Sequence, residues 1–204
     1  MIVSHLRFAL AVLAGRLSPA TGSLPDPRTM VLEPADLPSG WQRKGARTFR
    51  TGLITPTASW AQRLREARGT STVVSYRARD DPWAMVVSQA IPFVTVADAA
   101  EAFPTMEDHL LGNPDPRVVE TQRVALDVAT PLGDQRAALM LESTHLGERG
   151  SQGTQLLTLW RHGSVLAFLT VSGRAGRFTV DDLVALALRQ DQRINDASGA
   201  RQAS

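Results

Sequence analysis

The sequence predicts an α+β fold, a mainly antiparallel sheet of about five or six strands with two or three helices packed on it. Three observations predict this. Segments of strand length with alternating or continuous apolar character recur between residues 72 and 171. Two Thr-x-x-Asp patterns, Thr95 with Asp98 and Thr179 with Asp182, each open a stripe of apolar residues at helical spacing. The resulting order of helix, two strands, helix, three or four strands and helix suggests an antiparallel sheet with helices on a face.

The elements follow in chain order. Residues 1–20 have the outline of an export signal: His5 and Arg7, the apolar stretch Phe8 to Gly15, then small residues at Ser18 and Ala20. That stretch is too short to cross a membrane, which takes roughly 20 apolar residues. Residues 17–40 contain Pro19, Pro25, Pro27, Pro34 and Pro38 and read as an extended approach to the domain. Residues 1–28 are therefore read as leader and linker, 29–196 as a single α+β domain, and 197–204 as a disordered tail.

Within the domain, Ala58 to Arg68 carries Trp60, Ala61, Leu64 and Ala67 at helical spacing and stops at Gly69. Thr72 to Arg79 alternates as a strand, with Val74, Tyr76 and Ala78 on one face and Arg77 and Arg79 on the other. Asp80-Asp81-Pro82 makes a turn into a second strand, Ala84 to Phe93. The helix that starts at Thr95 contains Pro104, which lacks a backbone donor, so two helical pieces are expected.

Arg117 to Leu126, Arg136 to His145 and Gln155 to Trp160 read as further strands. Val165 to Val171 is nearly continuous in apolar character, implying burial on both faces and a central place in the sheet. Gly163 supplies the positive φ of a tight hairpin before it. The last helix turns Val180, Leu183, Val184, Ala187 and Ile194 inward, with Arg189 and Arg193 expected near its C-terminal end, where the dipole favours cations.

Charge is unevenly distributed. The net charge of +2 is too small to demand a polyanionic partner, and 21 of the 22 basic residues are Arg. Residues 42–79, however, hold nine basic residues against Glu66 alone. Arg63, Arg65, Arg68, Arg77 and Arg79 are the candidate anion-binding residues of this segment; the alternative is that it packs beside the acidic remainder of its own domain.

Catalytic patterns are few. With no cysteine, disulfides, thiolate metal sites and a cysteine nucleophile are excluded. Arg161-His162-Gly163 invites comparison with histidine phosphatases, but it falls late in the chain between two strands, where a hairpin turn explains it. Glu142, His145 and Glu148 are close in sequence, yet residues three apart on a strand face opposite sides. Gly147, Gly150 and Gly153 form a loop between strands instead of opening a helix, and no nucleophile elbow, Walker loop or dinucleotide fingerprint occurs. No catalytic residue, metal ligand or cofactor is assigned.

Four separated pieces carry a resemblance: Asp36-Leu-Pro-Ser-Gly-Trp41, Gly133-Asp-Gln135, the stretch from Leu159 to Gly173, and the closing Ala185 to Ile194. Over residues 30–194 the chain resembles a group of secreted or lipid-anchored actinobacterial envelope proteins. It departs from the lipid-anchored members at Arg16, where they would carry the lipidated Cys. The resemblance implies a globular α+β envelope domain with no catalytic motif to carry over.

The function expected is a non-enzymatic binding or sensory domain of the bacterial cell envelope, exported or secreted, with an envelope ligand or protein as partner. Two alternatives are carried beside it. One is a cytosolic module that binds nucleic acid or another polyanion, or an anionic surface, through residues 42–79. The other is a hydrolase whose site is assembled from residues far apart in sequence.

Overall fold

The computed structural model describes residues 24–50, 70–112, 118–128, 130–145 and 152–199. The leader and the expected helix at 58–68, with Arg63, Arg65 and Arg68, lie outside these residues. Seven strands form one sheet: β1 (Trp41–Arg50), β2 (Thr70–Ala78), β3 (Met85–Pro92), β4 (Val118–Ala125), β5 (Gln135–His145), β6 (Gln152–His162) and β7 (Val165–Arg174). Helix α1 (Val96–Gly112) joins β3 to β4, and helix α2 (Val180–Gly199) follows β7.

The strand order is β1-β2-β3-β7-β6-β5-β4, and every pairing is antiparallel. The class is α+β as expected, but the sheet is larger than five or six strands. The additional strand is β1, whose Gln42, Arg43, Lys44 and Arg47 carry no apolar alternation. It pairs with β2 alone, at one end of the strand order, and is therefore an edge strand, with a bulge between Arg43 and Gly45. Strand β7 is central, and Leu166, Ala167, Leu169 and Val171 are fully buried, as their unbroken apolar run requires.

Alternation along the strands divides the core in two. Val74, Tyr76, Val86, Ala90, Leu156, Trp160, Ala167 and Leu169 face α2, which inserts Leu183, Leu186, Ala187 and Ile194. Ile91, Leu159, Leu166 and Phe168, on the opposite face, meet Phe93 and α1 residues Ala99, Phe103 and Met106. One helix thus covers part of each face.

From residue 24 onward, the segment expected as an extended approach contributes to the core instead. Two 3-10 turns, Pro27–Thr29 and Pro34–Asp36, fold it back so that Met30, Val31, Leu32 and Leu37 are buried against α2. Pro27 and Pro34 sit in the first turns of these short helices, where a missing N–H costs nothing. The backbone is tied in as well. Tyr76 Oη donates to the Leu32 carbonyl at 2.6 Å, and Leu32 N donates to Ser88 Oγ at 3.1 Å. Ser88 Oγ donates in turn to Gln190 of α2 at 2.8 Å.

Two helix expectations change. Helix α1 is continuous through Pro104, because Pro104 is exposed while Phe103 and Met106 anchor both sides of it to the sheet. Helix α2 extends to Gly199, so Arg189 and Arg193 are not in its last turn. Arg193 instead bridges to the N-terminal segment, at 2.7 Å from Asp36 and 3.1 Å from Glu33.

Candidate functional site

A cleft of about 510 Å³ opens beside the start of β1, within the size range of small-molecule sites. Leu37, Pro38, Ser39, Gly40 and Trp41 form one wall. Gly40 turns the chain into β1 with φ of 93°, and its carbonyl accepts from Arg79 N at 3.0 Å, so this wall is pinned to the end of β2. Phe178, after β7, stands with its ring centroid 6.0 Å from that of Trp41. Asp182, Ala185, Leu186 and Arg189 of α2 complete the cleft, together with Arg79, Asp80 and Arg177.

The charges there are unevenly satisfied. Arg177 stands 3.7 Å from Asp80 and 4.0 Å from Asp81, long for ion pairs, with its guanidinium 5.8 Å from the Phe178 ring centre. Arg189 donates to the Asp36 carbonyl. Asp182 accepts from Thr179 N and Thr179 Oγ1 at 2.8 and 2.9 Å, while its own amide donates to Thr179 Oγ1. That reciprocal capping box occupies the start of α2 as the sequence predicts. Arg79 has no ion-pair partner among the described residues.

Behind the cleft, Asp36 is held by Arg193. Partial burial pulls the Arg193 guanidinium down, but the hydrogen bond to Asp36 and the charges of Asp36 and Glu33 outweigh it, leaving it above its ordinary value. This ion pair fastens the wall preceding Trp41 to α2.

Arg161 and His162 end β6, and Gly163-Ser164 form the two-residue turn into β7, with Gly163 at φ of 56°. Strand alternation sends the Arg161 and His162 side chains apart. Arg161 reaches Gln135 at 2.7 Å and Asp134 at 2.8 Å, and Asp134 also accepts from Gly163 N at 2.9 Å. His162 Nδ1 and the indole of Trp160 meet one oxygen of Asp191, on α2, at 2.9 Å each. Gly133-Asp134-Gln135 and the arginine-histidine hairpin are therefore two halves of one structural lock.

Of the five candidate anion-binding residues, Arg63, Arg65 and Arg68 lie outside the described residues. Arg79 lines the cleft; Arg77 is exposed, paired in register with Gln42 and Met85. Arg177, Phe178 and Arg189 were not legible as site residues, because 98 or more positions separate them from Arg79 and only the sheet order joins them. Glu148 and the side chain of His145 lie outside the described residues.

The fold resembles a bacterial extracellular domain. Over 83% of this chain it is similar to the crystal structure of the extracellular domain of PknH from Mycobacterium tuberculosis, covering 95% of that chain with a TM-score of 0.57. The sequence identity is 13%, so the likeness concerns the fold alone. No protein-family model and no curated protein matches the chain.

Proposed function

We propose that the chain is a non-enzymatic binding or sensory domain of the bacterial cell envelope, with its ligand seat in the cleft beside β1. The observation that carries this reading is the cleft itself. It combines a paired aromatic wall with guanidinium groups that are incompletely satisfied, and it is built from four separate parts of the fold. The likeness in fold to an extracellular domain and the leader-like residues 1–20 support the envelope setting. Because a ligand that prefers the native state must raise its unfolding temperature, envelope lipids and glycans are screened by thermal unfolding. The expected hit is lost in Ala185→Trp, which fills the cleft from an exposed helix position. A hit that survives this substitution would place the ligand elsewhere, and recovery of the full-length chain from the cytosol alone would end the envelope assignment.

A second reading rests on the sheet edge. Arg43, Lys44, Arg47, Arg77 and Arg79 are all exposed on β1 and at β2, and none is in an ion pair among the described residues. They offer exposed basic side chains to a polyanion or an anionic surface. Retention on a polyanionic column that weakens steeply as salt rises is the expected outcome; retention indifferent to salt would remove this reading.

A further inference from the structure

We infer that the cleft takes an amphiphilic acid, a single carboxylate or phosphate carried on an apolar chain. This rests on the binding reading above and specifies its ligand class.

The apolar half of the argument is the wall made by Leu37, Trp41, Phe178 and Leu186. Leu37 and Leu186 are each only 7% exposed, and Trp41 and Phe178 are half-buried, so an apolar chain laid along them extends an existing core surface. The tilt of 44° between the two aromatic rings opens a wedge and precludes a flat stack. An aliphatic chain suits that wedge better than a planar ring system.

The polar half is a question of which charges remain available. Three arginines and two aspartates line the cleft, but they are not equivalent. Asp182 has its Oδ2 engaged by Thr179 as the helix cap. Asp80 is 76% exposed and already faces Arg177. A cationic head group would therefore find one solvated carboxylate with a competing guanidinium beside it. An acidic head group finds Arg79 with no partner among the described residues and Arg177 held only at 3.7 and 4.0 Å, well beyond the 2.7–2.9 Å of charge-assisted hydrogen bonds. Both guanidiniums can turn towards it without breaking a short bond. The cap on α2 also means that the anion is taken by side chains and not by free amides at the helix start.

A carboxylate or phosphate on an alkyl chain occurs both as a free acid and as the head of a lipid in a bilayer, and the two sources are separable. Titration calorimetry with the full chain uses decanoate and decyl phosphate below their micelle concentrations, with decanol, decyltrimethylammonium and inorganic phosphate as comparisons. Decanoate and decyl phosphate are expected to bind, and the other three to bind at least about tenfold more weakly, the scale of one lost charge-assisted hydrogen bond. Arg79→Gln changes an exposed side chain with no ion-pair partner among the described residues; it should weaken both acids about tenfold and any residual decanol binding by less. Ala185→Trp should remove all binding. Sedimentation with phosphatidylglycerol vesicles assigns the source: co-sedimentation abolished by Ala185→Trp indicates a lipid in the bilayer, and binding of the monomeric acids alone indicates a free acid. Equal affinity for decanol and decanoate, lost in Ala185→Trp, would overturn the acidic head group while leaving the cleft as a binding site. Failure of every amphiphile to bind would overturn the inference, and a ligand found at the cleft by the broader thermal screen would then still uphold the binding reading.

Discussion

Tyr76 is the one tyrosine of the chain, so its ionisation can be followed without interference from another. Burial raises its phenol above the ordinary value of 10.0; the hydrogen bond and charge of Arg43 oppose this, and the charges of Asp36 and Glu33 reinforce it. Below pH 10 the phenol is protonated in both folded and unfolded chains. Above it the unfolded chain releases the proton first, so stability falls as pH rises towards the folded value. Ultraviolet titration of tyrosinate should show a midpoint above 10 that returns to the ordinary value in urea. Tyr76→Phe should flatten the alkaline loss and cost about 1–3 kcal/mol at neutral pH, because the buried Leu32 carbonyl loses its donor.

Two glycines in the lock between the loop before β5 and the β6–β7 hairpin separate steric from backbone effects. Gly133 has φ of 52°, and a Cβ there would collide with the carbonyl oxygen of Arg161. Gly163 has φ of 56°, but a Cβ there would meet nothing within 4 Å. Gly163→Ala should cost about 1–2 kcal/mol for the left-handed backbone alone. Gly133→Ala should cost more than about 3 kcal/mol, since backbone must also move. Urea unfolding of the two variants side by side measures the difference, and equal costs would contradict the close packing of this turn.

At the scale of elements, the hairpin and α2 are joined through Asp191, where Trp160 and His162 converge. Asp191→Ala removes the acceptor of a fully buried indole and should cost about 1–3 kcal/mol. Trp160 emission should change with it, and Asp191→Asn, which keeps an acceptor oxygen, should recover part of the loss. If urea midpoints of the alanine variant and the parent coincide, α2 is not fastened to the sheet in this way. The lock also brings Gly133-Asp134-Gln135 and the β6–β7 hairpin, distant in sequence, together in space. They describe a turn, an ion pair and a helix anchor. Their chemistry is already used by the fold.

The elements most legible in the sequence were those whose own residues settle them. Both Thr-x-x-Asp patterns start helices, with Thr95 Oγ1 accepting from Asp98 N at 3.0 Å. Strand β1 and the N-terminal turns were not legible, because a basic edge strand and a proline-rich segment lack periodic apolar character. Four buried side chains in residues 30–37 were enough to make the latter part of the core. The continuity of α1 was equally opaque: Pro104 lowers intrinsic helicity, and only packing of its neighbours on the sheet overrides that.

For the whole molecule, the N-terminal segment shares one core cluster with α2. Met30, Val31, Leu32 and Leu37 together bury apolar surface worth roughly 1.5–3 kcal/mol per side chain, against a total stability of about 5–15 kcal/mol for an ordinary domain. Deleting residues 24–39 should therefore abolish the cooperative transition in near-ultraviolet circular dichroism. A deleted chain that still unfolds cooperatively at the parent midpoint would show the segment to be an accessory. The same segment carries the cleft wall that ends at Trp41, which ties the candidate site to the stability of the fold.

Local sequence was enough for the class of the fold, the central place of β7, the helix starts at Thr95 and Thr179, and the hairpin at Gly163. Each depends on side-chain periodicity or backbone freedom within a few consecutive residues. Tertiary structure alone decided that β3 pairs with β7, that the 24–37 segment enters the core, and that Trp41, Arg79, Arg177, Phe178 and Arg189 share one cleft. These depend on strand order and on which faces close over one another, contacts between residues distant in the chain that no local pattern encodes.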